Sequence, residues 1–196
     1  MTTNHPPPTS WAAGDGVRQR GAATGCGRIG GMDAFDDVLA ANADYWRSFT
    51  DAGLPGAAAR GLAVVTCMDS RIDPLGMLGL APGDAKILRT AGARVTDDVL
   101  RSLVLAHHLL GVERVMVIAH TDCGMAKASD EMVHAAVLTR TGVDSRSLDF
   151  HTIDDQQATL EHDVQRVRSL PYLPAAMPVV GGIYDVHTGA VRLTVR

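Results

Sequence analysis

A chain of 196 residues with 46% hydrophobic and 20% charged side chains has room for one domain plus some appended chain, and enough apolar content to bury a core. A net charge of -4 and a pI near 6.0, with no lysine- or arginine-rich stripe, argue against a nucleic-acid surface. The longest apolar stretch, around Leu103 to Leu110, falls well short of the roughly 20 residues that span a bilayer, so no membrane partner is expected either.

Residues 1–31 contain runs such as PPPTS and GAATGCGRIGG and show no hydrophobic period. They are predicted to be a disordered N-terminal extension. Met1 to Trp11 has neither a cationic n-region nor an apolar h-region, so no signal peptide is expected and the cytoplasm is the default compartment. From Met32, itself a candidate start, Phe35, Leu39, Trp46 and Phe49 recur at helical spacing behind Asp33, Asp36 and Asp37, which suit the positive end of a helix dipole. The predicted domain is therefore 32–196, with an N-terminal amphipathic helix.

Gly61 to Thr66 reads as a buried strand that ends at Cys67, and Lys86 to Arg89 as a shorter one. Thr96 is placed to cap a helix carrying Val99, Leu103, Ala106 and Leu110 on one face, with Gly111 as its stop. Arg114 to Ala119 is the next buried strand and runs into His120. Strand, helix and strand in this order imply parallel pairing. Asp130 to Arg140 is predicted helical, and Gly142 to Asp149 a loop. Thr152 with Asp155 resembles a capping box opening a helix that buries Leu160, Val164 and Val167 and ends before Pro171. Pro178 to Val186 and Ala190 to Val195 are strand-like around a His187-Thr188-Gly189 turn. The class is α/β: a mostly parallel β-sheet flanked by helices.

Three cysteines, Cys26, Cys67 and Cys123, are too few and too odd in number for a disulfide framework and suit ligand or catalytic chemistry in a reducing compartment. Cys26 lies in the featureless extension and is expected to be a bystander. Cys67, His120 and Cys123 follow two predicted parallel strands, and open α/β sheets place their sites at such carboxyl ends. Thiolate with imidazole suits Zn2+, and a Cys2His set leaves a fourth position open, as catalytic sites do. Taken singly, each residue has a plainer reading, since cysteine packs well as a small hydrophobe and a strand-end histidine is commonplace. Asp69 and Arg71, two and four residues beyond Cys67, could be an ordinary surface pair. Beside a metal, Asp69 could orient a reacting oxygen or bind the metal itself, and Arg71 could restrain it.

The runs Cys67-Met68-Asp69-Ser70-Arg71 and His120-Thr121-Asp122-Cys123-Gly124, with Ala91-Gly92 and Val95-Thr96-Asp97-Asp98-Val99, resemble the short bacterial branch of the β-class carbonic anhydrases. That resemblance implies one zinc per chain on Cys67, His120 and Cys123, a catalytic dyad of Asp69 and Arg71, and Asp69 as a fourth ligand in an inactive form. It implies reversible hydration of carbon dioxide to bicarbonate by a zinc-bound hydroxide. It also implies a homodimer or dimer of dimers, in which the first helix packs on a neighbour. Thr90 and Met125 replace the family's usual Asn and second Gly beside the site. The alternatives are hydrolysis of carbonyl sulfide or carbon disulfide on the same ligands, and a non-catalytic zinc-binding regulatory or structural protein. His107, His108 and His134 are conceivable proton relays but read as helix-face histidines.

Overall fold

The structure, a computed structural model, describes residues 32–196; the predicted extension 1–31, with Cys26, lies outside them. The chain divides at Phe49 into two units. In the first, a 3-10 turn over Met32–Phe35 leads into α1 (Asp36–Arg47), with Asp36 and Asp37 in its first turn and Arg47 in its last. No residue of α1 is buried, and Val38, Leu39, Tyr45 and Trp46 are exposed.

The second unit holds β1 (Leu62–Cys67), β2 (Ala85–Thr90), α2 (Asp97–Leu110), β3 (Arg114–His120), α3 (Asp130–Thr141), α4 (Gln156–Arg168), β4 (Val179–Tyr184) and β5 (Val191–Val195). Its sheet has the order β2-β1-β3-β4-β5. The first four strands pair in parallel, and β5 adds an antiparallel edge through a hairpin. Every residue of β1 is buried, as are five of the seven residues of β3, because a parallel strand in mid-sheet is covered on both faces. Alternation divides the side chains. Ala63, Val65, Val115 and Val117 face a cluster with Val99, Leu103 and Ala106 of α2 and Leu160, Val164 and Val167 of α4. Leu62, Val64 and Ile118 face the other way, towards Met77, Leu78 and Leu80.

The predicted elements stand, with two corrections at helix starts. Helix α4 begins at Gln156, capped by Asp155, whose carboxylate accepts the Ala158 N–H. Thr152 is not part of that cap. Its hydroxyl and its backbone N–H both donate to Asp130 Oδ1, at 2.6 and 3.1 Å, which ties Thr152 to the start of α3 instead. Thr96 occupies the cap position of α2 but makes no side-chain cap bond.

Candidate metal centre

The sheet order explains why distant residues meet. From β1 the chain moves outward to β2, then α2 carries it back across β1 to β3, and from β3 it moves outward the other way to β4. Adjacent strands whose connections diverge open a crevice at their carboxyl ends. Cys67 is the last residue of β1 and His120 the last of β3. Thr66 Oγ1 donates to the Ile118 carbonyl at 3.0 Å, tying the two strand ends together just below them.

Among the described residues, Cys67, His120 and Cys123 form the group able to hold a metal, all three buried, with donor atoms within 4.8 Å of one another. His120 Nδ1 lies 2.8 Å from the Thr121 carbonyl, which can only accept, so Nδ1 carries the proton and Nε2 presents its lone pair. That Nε2 is buried and without a hydrogen-bond partner among the described residues. A buried polar atom left unpaired costs about 1–3 kcal/mol, and a cation between it and the two sulfurs satisfies it. The Cys67 thiol is pulled well below its ordinary range, chiefly by a hydrogen bond from the Cys123 thiol, against the opposing effect of burial. His120 and the backbone amides of Asp69 and Gly92 pull the same way. Cys123 is pushed up by the same sulfur pairing and by burial, while the Met125 and Ala126 amides act against this. His120 is raised, mainly by the Cys67 sulfur beside it, with burial opposing. Soft thiolates with imidazole in a dry, closely spaced set fit a zinc-type ion.

Asp69 and Arg71 form the bidentate pair the sequence suggests. Arg71 Nε donates to Oδ1 at 3.0 Å and its NH2 group to Oδ2 at 2.7 Å, and the Arg71 backbone N–H adds a third bond to Oδ1 at 2.9 Å. These bonds hold the Asp69 carboxyl far below the usual carboxylate range, and its Oδ2 stands 3.9 Å from His120 Nε2. The carboxylate therefore borders the cluster while Arg71 claims both of its oxygens.

Several supporting residues carry no motif. Arg89 donates to the carbonyls of Cys67 and Asp69, and Gln156 Nε2 to the His120 carbonyl at 2.8 Å. Arg94 pairs with Asp163, which is 2% exposed, and Asp163 also accepts the Val95 N–H. This pins the Ala91–Ala93 turn to α4. No local pattern marks these partners, since they lie up to 69 positions apart. The three histidines are engaged elsewhere. His107 and His108, at the end of α2, meet the carbonyls of Val112 and Tyr172, and His134 meets Ser145 Oγ.

Comparison with known proteins agrees with this geometry. The family model described as carbonic anhydrase matches residues 62–191. The chain is 35% identical over 161 residues to "Beta-carbonic anhydrase 1" of Mycobacterium tuberculosis, covering 82% of this chain and 98% of that protein. It is 46% identical over 157 residues to a carbon disulfide hydrolase of Acidianus sp. (strain A1-3), covering 68% of this chain and 76% of that one. The crystal structure of the Streptococcus mutans carbonic anhydrase superposes with a TM-score of 0.78 at 40% identity, over 83% of this chain and 98% of that chain. This chain belongs to the β-carbonic anhydrase family.

Proposed function

We propose that the protein interconverts carbon dioxide and bicarbonate at a zinc ion held by Cys67, His120 and Cys123. The observation that carries this reading is the buried, unpartnered His120 Nε2 facing two buried thiols beside an Arg-clamped carboxylate. Zinc, when bound, would supply Lewis acidity that makes water a nucleophile at moderate pH. The chain supplies the rest. Two thiolates match the charge of a divalent cation, and Thr121 fixes the imidazole tautomer. Zinc held by these three residues would have room for one further ligand, and Asp69 Oδ2 stands 3.9 Å from His120 Nε2. An ionised carboxylate can only accept, so Asp69 takes a hydrogen bond from the attacking oxygen and turns a lone pair towards the substrate carbon. Arg71 keeps Asp69 in that role and away from the fourth ligand position.

A second reading, hydrolysis of carbon disulfide or carbonyl sulfide, is favoured by the likeness to the Acidianus enzyme, because the same donors serve any linear electrophilic carbon. A non-catalytic zinc site would have no use for the Asp69–Arg71 clamp. Stopped-flow hydration of carbon dioxide, run beside hydrolysis of both sulfur compounds on zinc-quantified protein, separates the three. Turnover of carbon dioxide supports the first reading, and turnover of the sulfur compounds alone supports the second. Zinc at one per chain with no turnover supports the third.

The exposed apolar side chains of α1 support a homodimer in which that helix covers a neighbour. Deletion through Phe49, followed by sedimentation, tests it, and an unchanged number of chains per particle would refute it. Among the described residues no helix is long and apolar enough to cross a membrane. The unpaired thiols Cys67 and Cys123 support a cytoplasmic enzyme, which fractionation tests.

A further inference from the structure

Asp122 lies between His120 and Cys123 with φ +58, a left-handed conformation that few residues other than glycine adopt and that costs roughly 1–2 kcal/mol. In this posture its carboxylate Oδ2 accepts from Arg71 NH1 at 2.8 Å, and its carbonyl accepts from Arg71 NH2 at 3.1 Å. Lys127 pairs with the other carboxylate oxygen. Together with the two side-chain bonds to Asp69, four of the five guanidinium N–H groups of Arg71 are engaged. One pair of bonds goes to the loop after β1 and the other to the loop after β3, so the fork joins the two loops that follow the strands ending on Cys67 and His120. Yet the Arg71 side chain is 43% exposed. An arginine this open has about 2 kcal/mol of rotamer freedom to recover, and contacts from one side alone leave its plane free to swing.

We propose that Asp122 is a positioning residue: it grips the Arg71 guanidinium from the side opposite Asp69, so that the dyad works as the triad Asp69–Arg71–Asp122. This rests on the carbonic anhydrase reading of the site. Asp122 is not among the three candidate donors. It acts through Arg71, and the left-handed turn is what brings its carboxylate and carbonyl round together to the same guanidinium.

The test uses zinc-loaded Asp122→Gly, Asp122→Asn and Lys127→Met proteins. Glycine accepts the left-handed backbone without strain, so Asp122→Gly keeps the turn and its carbonyl and loses only the carboxylate. Asparagine also tolerates this conformation and restores an uncharged acceptor. A hydrogen bond to a charged group contributes about 1.5–3 kcal/mol, which sets an expected fall in kcat of roughly tenfold or more for Asp122→Gly. KM and zinc content should stay the same. Asp122→Asn should recover most of that loss, and Lys127→Met should stay within about twofold of wild type. The second readout is hydrogen exchange at the Arg71 Nε–H by NMR, expected to speed up about tenfold in Asp122→Gly. This readout tests the clamp even if the wild-type protein turns over no carbon dioxide, which would sink the activity reading alone. Unchanged exchange at Arg71, zinc loss in Asp122→Gly, or an Asp122→Asn protein no better than Asp122→Gly would overturn the proposal.

Discussion

Gly92 is where the fold presses hardest on the candidate site, and Gly92→Ala should show it. Its φ is +71, and a Cβ there would stand 2.9 Å from Ile153 Cδ1 and 3.2 and 3.3 Å from Met125 Cβ and Cγ. Holding an L-residue in the left-handed region costs about 1–2 kcal/mol, and overpacking a filled site costs about 1–3 kcal/mol. The Ile153 methyl can turn aside, but Met125 Cβ is fixed to the backbone beside Cys123. The expected destabilisation is therefore about 2–5 kcal/mol, which at about 2–4 °C per kcal/mol for a chain of this size is a large drop in melting temperature. The Gly92 amide also supports the Cys67 sulfur, so zinc affinity should fall as well. The neighbouring Ala93→Gly provides the contrast. Ala93 is itself left-handed at φ +60, so glycine relieves strain of about 1 kcal/mol while giving up a buried methyl and stiffness of the unfolded chain of similar size. Its net effect should lie within about 1 kcal/mol. Urea unfolding at fixed protein concentration and zinc competition with a chromophoric chelator measure both variants. A Gly92→Ala protein as stable and zinc-avid as wild type would refute the packing argument.

Cys67→Ser, His120→Ala and Cys123→Ser should each lose tight zinc, because an incomplete ligand set forfeits most of the binding energy, and metal analysis of dialysed protein checks it. Arg71→Ala should lose roughly tenfold or more in carbon dioxide hydration. The loss should be greatest in mild acid and narrow as pH rises, since the freed Asp69 carboxylate competes with the attacking oxygen for the open position; a uniform loss across pH would count against that competition. Asp130 is held at about 2 by the Thr152 hydroxyl first, then by the Thr152 and Phe150 amides. A carboxyl depressed on folding stabilises above its unfolded value near 3.9 and loses that contribution as pH falls through the folded value. Asp130→Ala should therefore melt below wild type at pH 7, and the gap should shrink between about pH 4 and pH 2.

The strands and the Cys67–His120–Cys123 group were legible because their signals are local: a run of buried valines ends on Cys67, and another apolar run ends on His120. The Asp69–Arg71 pair was legible for the same reason, as two charges two residues apart. What the sequence hid depends on the path of the backbone. Asp122 sits in full view inside the second motif, yet its bond to Arg71 exists only because the chain turns left-handed there. Arg94 and Asp163 are 69 residues apart, and nothing local to either predicts a buried ion pair. The start of α4 was misread because the Thr152 hydroxyl had a partner 22 residues away, at Asp130, that a window of neighbouring residues does not include.

That backbone path also explains how Thr90 and Met125 can replace the family's usual residues without disturbing the donors. Backbone amides act to lower the pKa of both thiols, those of Asp69 and Gly92 at Cys67 and those of Met125 and Ala126 at Cys123. Any residue except proline supplies an amide, so position 125 needs the right conformation more than the right side chain. Met125 then uses its Cβ and Cγ to close over Gly92, a contact a glycine could not make. Thr90 serves the same turn from its other end, its hydroxyl donating to the Arg94 carbonyl at 2.9 Å, while Arg94 is itself tied to Asp163. The turn that presents the Gly92 amide is thus fixed at both ends by side chains and covered by a third. The chemistry of the donor set is insulated from these substitutions because side chains here hold the backbone, and the backbone holds the sulfurs.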